Sequence, residues 1–155
     1  MAGDKLRILT IESRYESDVA DALLRGAVDA LDAFGAAHEV LSVPGVLELP
    51  LALAMIEEST HRPTGAERYD GYVLLGSVFP ADTLQADLVA REALRGLQDV
   101  AIARNLAIGS GILACENEAE ALELARPSGG DAGGAAARAC LDLAALRRRL
   151  LGAAR

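Results

Sequence analysis

Short apolar runs that alternate with longer helical patterns constrain the fold of this chain more than any other feature. The runs predict strands at residues 6–12, 37–43, 69–76 and 106–114. Apolar residues at helical spacing predict helices at residues 19–34, 48–58, 84–105, 118–124 and 135–151. Strands that alternate with helices build a parallel sheet covered on both faces. We therefore expect a three-layer α/β/α sandwich around a four-stranded parallel sheet, formed as one domain over residues 1–155.

Polar residues at the helix ends sharpen this prediction. Ser17 or Asp18 is expected to cap the first helix, because their side-chain oxygens accept hydrogen bonds from free backbone N–H groups. Asn117 and Glu120 lie three residues apart and resemble a capping box at the start of the fourth helix. The glycines of residues 126–134 predict a loop before the last helix.

Composition and charge exclude several classes of function. The net charge of −8 disfavours a nucleic-acid partner or an anionic membrane surface. No apolar run approaches the roughly 20 residues of a membrane span, and no Cys or His spacing matches a metal site. Cys115 and Cys140 are predicted to be small core residues of a cytoplasmic protein. His38 begins a strand and His61 lies in a polar connection, so neither is expected to act as a base.

Polar loops follow the predicted strands and should meet at one edge of the sheet. They cover residues 13–17, 44–48, 77–85 and 114–117. In an open α/β sheet, ligands bind outside the carboxyl ends of the strands, and helix N-termini offer free N–H groups to anions. The segment 76–87 joins a strand to a long helix, so it is predicted to carry the chemistry of a small-molecule site.

Two of these loops carry candidate binding residues, each with a functional and a structural interpretation. Tyr15 either stacks on a planar heterocycle or covers a helix end. Glu48 either accepts hydrogen bonds from ligand hydroxyl or amide groups, or is simply favoured by the dipole at a helix start. In the first interpretation, the backbone groups of Val46 and Leu47 would also contact the ligand.

The remaining candidates concern phosphate binding and proton transfer. Thr83 and nearby N–H groups can hold a phosphate, whereas the charge of Asp82 opposes one and suits an N-cap. Gln85 forms hydrogen bonds but cannot transfer a proton near neutral pH. Arg126 is either a phosphate clamp or a cation at a helix C-terminus. By spacing alone, the chain supports a small-molecule site without a complete acid–base apparatus.

Several segments, taken in order, resemble the 6,7-dimethyl-8-ribityllumazine synthase family. They include residues 12–15 (Glu-Ser-Arg-Tyr), 43–50 (Val-Pro-Gly-Val-Leu-Glu-Leu-Pro), 69–76 and 133–139. The resemblance implies a flavodoxin-like fold and the condensation of 5-amino-6-ribitylaminouracil with 3,4-dihydroxy-2-butanone 4-phosphate, with no metal or redox cofactor. It also implies a homo-oligomer, built as a pentamer, a decamer or an icosahedral shell, whose sites lie between subunits.

The positions that match the family's ribityl-pyrimidine side are intact. They are Tyr15, Val46, Leu47, Glu48, Ser77, Val78 and Leu113. By the resemblance, Tyr15 takes the position of the stacking aromatic, and the segment ending in Glu48 holds the ribityl chain. Leu113 falls in the strand that a neighbouring subunit contributes. This half of the site therefore implies a pocket for a ribityl-pyrimidine, a lumazine or a flavin.

The positions that match the phosphate and proton-transfer side depart from the family's pattern. Gln85 replaces the histidine assigned to proton transfer, and Leu124 replaces the arginine that grips the phosphate. Asp82 replaces a glutamate and Thr83 is kept, while Arg126 lies two residues from the lost arginine.

These departures favour a divergent homologue that keeps the pocket and the assembly, with weak or lost condensation. The alternatives are an active synthase whose phosphate site is rebuilt around Arg126, and a purely structural shell protein.

Overall fold

The computed structural model of the chain describes residues 4–63, 68–79 and 83–152. Its strands are β1 (Arg7–Ser13), β2 (Ala37–Val43), β3 (Gly71–Val78) and β4 (Ile108–Ala114). Its helices are α1 (Ser17–Phe34), α2 (Glu48–Thr60), α3 (Thr83–Arg104), α4 (Glu118–Ala125) and α5 (Ala132–Leu151). The strands and helices alternate as the sequence predicts, with boundaries that differ by no more than three residues.

The four strands are parallel and lie in one sheet with the order β2-β1-β3-β4. Helices α1, α4 and α5 pack on one face, and α2 and α3 pack on the other. Successive strand side chains point to opposite faces, so Ile8 joins the first core while Leu9 and Ile11 join the second. The predicted α/β/α sandwich is confirmed, and its architecture is flavodoxin-like.

Glycines allow α5 to pack very closely on β4 and on α1. A Cβ atom on Gly109 would lie 1.7 Å from the carbonyl oxygen of Ala136 in α5. A Cβ atom on Gly133 would lie 1.9 Å from the carbonyl oxygen of Leu23 in α1. Neither approach is sterically possible with a side chain. The glycines that interrupt the fourth predicted strand therefore serve packing between the sheet and its covering helix.

The helix ends differ in part from the predicted ones. Helix α1 starts at Ser17, and the residue at its N-cap is Glu16, whose side chain accepts no capping hydrogen bond from the described residues. The prediction that Ser17 or Asp18 caps α1 is therefore wrong, because both lie inside the first turn. The cap of α4 is confirmed, since Oδ1 of Asn117 accepts a hydrogen bond from the backbone N–H of Glu120 at 2.9 Å.

Helix α5 begins earlier than the glycines of the preceding segment predict. Asp131 is the N-cap residue, with a left-handed φ of 49°, and its Oδ1 accepts a hydrogen bond from the backbone N–H of Gly134 at 3.3 Å. The predicted loop through residue 134 is therefore three residues too long, because Gly133 and Gly134 are packing positions of the helix.

The two cysteines are free and buried, as predicted. Burial raises the pKa of the Cys140 thiol from 9.0 to about 12, and burial with the nearby Glu120 carboxylate raises the pKa of Cys115. Within the described part of the chain, no helix has both the length and the apolar character needed to span a membrane.

Candidate functional site

A cavity of about 190 Å³ opens at the carboxyl edge of the sheet. It is lined by the end of β1, the turn from β2 to α2, the end of β3 and one residue of α3. The lining residues are Ser13, Tyr15, Pro44, Gly45, Val46, Ser77, Val78, Phe79 and Val89. The parallel topology brings these segments together, because the carboxyl ends of β1, β2 and β3 are neighbours in the sheet. The predicted meeting of the first three loops is therefore confirmed.

Two aromatic side chains lie beside each other in the lining of the cavity. The ring centroids of Tyr15 and Phe79 are 5.9 Å apart, and their planes are tilted by 56°. Tyr15 remains 67% exposed, so most of its ring surface is free to contact a ligand. Phe79 was not among the predicted site residues, although an aromatic residue directly after a buried strand was a signal for it.

The buried lining residues at the strand ends form the floor of the cavity and are closely packed. Ser13 and Ser77 are both buried, and the hydroxyl of Ser13 has no hydrogen-bond partner among the described residues. A Cβ atom on Gly76 would lie 2.6 Å from this hydroxyl oxygen and 2.8 Å from Cγ2 of Val46. Because Gly76 has no side chain, it leaves space for the side chains of Ser13 and Val46. Ser13 is a further residue that the sequence reasoning missed, because nothing in the β1 pattern distinguishes it from a strand end.

The turn from β2 to α2 forms one wall of the cavity. The backbone N–H of Glu48 donates to the carbonyl oxygen of Gly45 at 3.3 Å, and that of Leu49 donates to Val46 at 3.2 Å. Val46 is buried, whereas the side chains of Leu47 and Glu48 are exposed. A Cβ atom on Gly45 would lie 2.7 Å from Oε2 of Glu48, so this carboxylate turns back over a lining residue. Glu48 thus lies near the cavity.

The fourth loop lines a separate hollow. This second cavity, of about 570 Å³, lies between the starts of α3 and α4. Its lining residues are Leu84, Ala86, Asp87, Ala114, Cys115, Glu116 and Glu120. The lining contains three carboxylates and, among the described residues, no basic side chain. Such a surface opposes a phosphate, which binds where positive groups or free N–H groups face it. The four loops therefore meet at one edge of the sheet, as predicted, but the fourth loop lines a different cavity from the first three.

Several predicted site residues lie outside the first cavity. Gln85 is exposed on the first turn of α3, and Leu113 pairs with Ser77 in the β3–β4 register without lining that cavity. Asp82 lies outside the described residues. Thr83 starts α3, and only its backbone is described.

Arg126 lies on the face of the molecule formed by α1. It lines an open groove of about 670 Å³ together with Asp21, Arg25 and Asp29. Its guanidinium lies 3.8 Å from the Glu123 carboxylate, and its side chain is about half exposed. Arg126 does not line the first cavity, so within one chain it is not brought together with Tyr15.

The described residues contain neither a metal-binding cluster nor an activated thiol. Within the described ranges, no group of three or more His, Cys, Asp or Glu side chains is arranged to hold a metal ion. The raised pKa of Cys115 disfavours the thiolate that a nucleophile needs. The geometry therefore supports the binding of a small heterocycle with hydrogen-bonding groups at the first cavity.

Comparison with known proteins connects this geometry to a family. A family model described as 6,7-dimethyl-8-ribityllumazine synthase matches residues 5–148. The chain is 46% identical over 145 residues to 6,7-dimethyl-8-ribityllumazine synthase 1 of Rhizobium meliloti (strain 1021), covering 94% of each chain. It is 44% identical over 148 residues to 6,7-dimethyl-8-ribityllumazine synthase of Agrobacterium fabrum (strain C58), covering 96% of this chain and 99% of that protein.

Proposed function

Because the chain belongs to the 6,7-dimethyl-8-ribityllumazine synthase family, we propose that it is a weak lumazine synthase. It would condense 5-amino-6-ribitylaminouracil with 3,4-dihydroxy-2-butanone 4-phosphate, with no metal or redox cofactor. The observation that carries the proposal is the cavity at the strand ends, where an exposed aromatic ring and two buried serine residues line the same space. The family and the identity of its relatives favour an active enzyme.

The cavity suits the ribityl-pyrimidine substrate. Tyr15 offers a ring face for stacking on the pyrimidine, and Ser77 with Val78 would lie under it. The turn of Val46, Leu47 and Glu48 would hold the ribityl hydroxyls, because a carboxylate and backbone groups accept and donate hydrogen bonds to a polyol. A lumazine or a flavin shares this chemistry and would occupy the same space.

A neighbouring copy of the chain would complete the site. Leu113 does not line the cavity of its own chain, so it would reach a ligand only across a contact between copies. Exposed apolar side chains on the edge strand β2 and on α2 suit such a contact, and they include Val40, Leu41, Leu51 and Met55. We therefore include a homo-oligomer in the proposal, a pentamer or a multiple of it, in the cytoplasm.

The reaction would be slow because two groups that assist it are replaced. Gln85 stands where the resemblance puts a proton-transferring histidine, and losing a general acid–base group lowers a rate by about 10²–10⁴. Leu124 stands where the resemblance puts the phosphate-binding arginine. This replacement removes a charge-assisted contact with the phosphate that is worth about 1.5–3 kcal/mol. Holding the two substrates side by side still accelerates their condensation, since positioning alone lowers the barrier considerably.

A second candidate is a fully active synthase with a phosphate site built around Arg126. The observation that favours it is that Arg126 and Arg25 line the same groove, and both side chains are exposed to solvent. Asp21 and Asp29 in the same groove weaken its attraction for a phosphate. This candidate predicts rates equal to those of relatives that keep the family's pattern.

Turnover and binding measured on the same preparation test the proposal. We expect lumazine formation from the two substrates above the uncatalysed background. Its rate should be about 10²–10⁴-fold lower than that of the Rhizobium meliloti relative. We also expect riboflavin to bind, with quenching of its fluorescence. Turnover equal to that of the relative would favour the Arg126 site. Binding without turnover would mean that condensation is lost, and neither binding nor turnover would leave a structural shell.

A further inference from the structure

The end of β1 carries a buried carboxylate that the proposed reaction does not use. The side chain of Glu12 is 5% exposed and points away from solvent at the edge that holds the cavity. Its Oε1 accepts a hydrogen bond from the Ser42 hydroxyl of β2 at 3.2 Å. A buried carboxylate is stable only when it is paired and hydrogen-bonded. Loss of its partner would leave an uncompensated charge at the end of β1.

The partner is Arg14, in the loop between β1 and α1. Nη1 of Arg14 donates to both carboxylate oxygens of Glu12, at 3.0 and 3.1 Å. Nη2 of the same guanidinium donates to Asp21 in α1. These contacts raise the pKa of Arg14, with the Asp21 hydrogen bond as the largest cause and the Glu12 hydrogen bond next. The guanidinium therefore joins the end of β1 to α1 across the loop.

This loop has few other restraints at the start of α1. The N-cap side chain of Glu16 forms no capping hydrogen bond within the described chain, although its carbonyl oxygen accepts from Ala20 at 2.9 Å. Tyr15 lies between Arg14 and Glu16, and its side chain is largely exposed. The Tyr15 ring lies beside the Phe79 ring, and the backbone that carries Tyr15 is held by the Arg14 contacts.

We infer that Glu12, Arg14 and Asp21 form a clamp that positions Tyr15 for stacking on the heterocycle. The inference rests on the proposed ligand class and adds positioning residues to it. Arg14 acts through Tyr15 and does not touch the ligand. Because Ser42 joins the same carboxylate, the clamp also connects the stacking loop with the strand that leads into the β2–α2 turn.

A double-mutant cycle on riboflavin binding tests the clamp. The proteins are the wild type, Arg14→Gln, Tyr15→Ala and the combination, with dissociation constants taken from flavin fluorescence. We expect Arg14→Gln to weaken binding by about threefold to fivefold when Tyr15 is present, and by less than about twofold when it is alanine. We also expect less quenching of the bound flavin in Arg14→Gln, because the ring no longer stacks in one position.

Two further variants complete the experiment. Arg95→Gln is the matched control, because Arg95 also joins two carboxylates, Glu92 at 2.9 Å and Asp99 at 2.8 Å. These three side chains lie on the solvent-exposed face of α3 and do not line the cavity. The control variant should leave binding unchanged. Asp21→Asn opens the exposed end of the clamp and leaves Glu12 paired with Arg14. If Arg14→Gln does not fold, Asp21→Asn takes its place in the cycle with the same criterion.

The outcomes separate the clamp from the proposed ligand class. Equal weakening with and without the Tyr15 ring would overturn the inference, because Arg14 would then act independently of Tyr15. Unchanged binding in Arg14→Gln and in Asp21→Asn would overturn it as well. In both outcomes the wild type binds riboflavin, so the proposed ligand class stands. A wild type that binds neither riboflavin nor ribitylaminouracil would overturn the proposed function and the clamp together.

Discussion

The two halves of the candidate site are built differently within one chain. The ring-binding half consists of Ser13, Tyr15, Val46 and Ser77, which line one cavity at the ends of three adjacent strands. The transfer half would consist of Gln85, Leu124 and Arg126, which lie on α3, on α4 and just after α4. None of these three lines that cavity among the described residues.

A single chain preorganises only the part of a site that its strand ends carry. Strand ends are fixed by sheet hydrogen bonds and packing, so residues there reach a ligand in a defined geometry. Helix residues on other faces contribute to the site only when another copy of the chain brings them to the cavity. Otherwise the reaction no longer uses their chemistry. The ring-binding half is therefore expected to tolerate little change, and the transfer half to tolerate more. Substitutions in each half test this expected difference in tolerance.

Gly76→Ala should have the largest effect on the ring-binding half. The added Cβ atom would lie 2.6 Å from the Ser13 hydroxyl oxygen and 2.8 Å from Val46, so one of them must move. We expect a loss of about 1–3 kcal/mol in the free energy of unfolding and a fall in riboflavin affinity of up to about 100-fold. Urea unfolding and fluorescence titration measure the two quantities.

A second variant shows whether the floor contact is the cause. Gly76→Ala combined with Ser13→Ala removes the closer of the two contacts, so the unfolding free energy should recover in part. Full affinity in Gly76→Ala alone would mean that the ligand does not depend on this cavity floor.

Tyr15→Ala should weaken riboflavin binding by about tenfold, because it removes an aromatic contact while leaving the cavity floor intact. The side chain is 67% exposed, so the free energy of unfolding should change little. Tyr15→Phe is the control and should bind within about twofold of the wild type, since the ring face is kept. Equal affinity in all three proteins would exclude stacking on Tyr15.

Arg126→Ala should have the smallest effect. Its guanidinium is half exposed and paired with Glu123, so its removal should change the KM for the phosphate-containing substrate by less than about twofold. A phosphate site built around Arg126 predicts instead a rise of about tenfold or more, because a charge-assisted contact would be lost. Arg25→Ala, in the same groove, shows whether the two guanidinium groups act together.

Much of the fold could be predicted from the sequence, because apolar periodicity reports directly on burial. The alternation of strands and helices predicted the parallel sheet, whereas the strand order that places β1 beside β3 was not predicted, because alternation alone does not determine it. The start of α5 could not be predicted, since Gly133 and Gly134 are typical of a loop but here allow close helix packing. The N-cap of α1 was also predicted wrongly. Ser17 has a side chain that suits an N-cap, but the sequence pattern does not fix the helix start to within one residue.

The candidate site was predictable where a residue's position along a strand determines its place in space. Tyr15 and Val46 follow strand ends directly and therefore reach the predicted edge. Ser13 was missed because a small polar residue at a strand end has no distinctive pattern, whereas Phe79, an aromatic residue directly after a buried strand, could have been identified. The position of Arg126 could not be predicted, because it depends on how α4 packs against α1, which no local signal determines.

Lumazine formation by the wild type and by the Gln85→His/Leu124→Arg double variant tests the weak-synthase proposal most directly. The proposal predicts slow turnover by the wild type and a gain of about 10²-fold or more in the double variant, because a proton-transfer group and a phosphate-binding group are restored. Riboflavin affinity should be the same in both proteins, since the ring-binding half is unchanged. Wild-type turnover as fast as that of the Rhizobium meliloti relative, with no gain in the double variant, would contradict it.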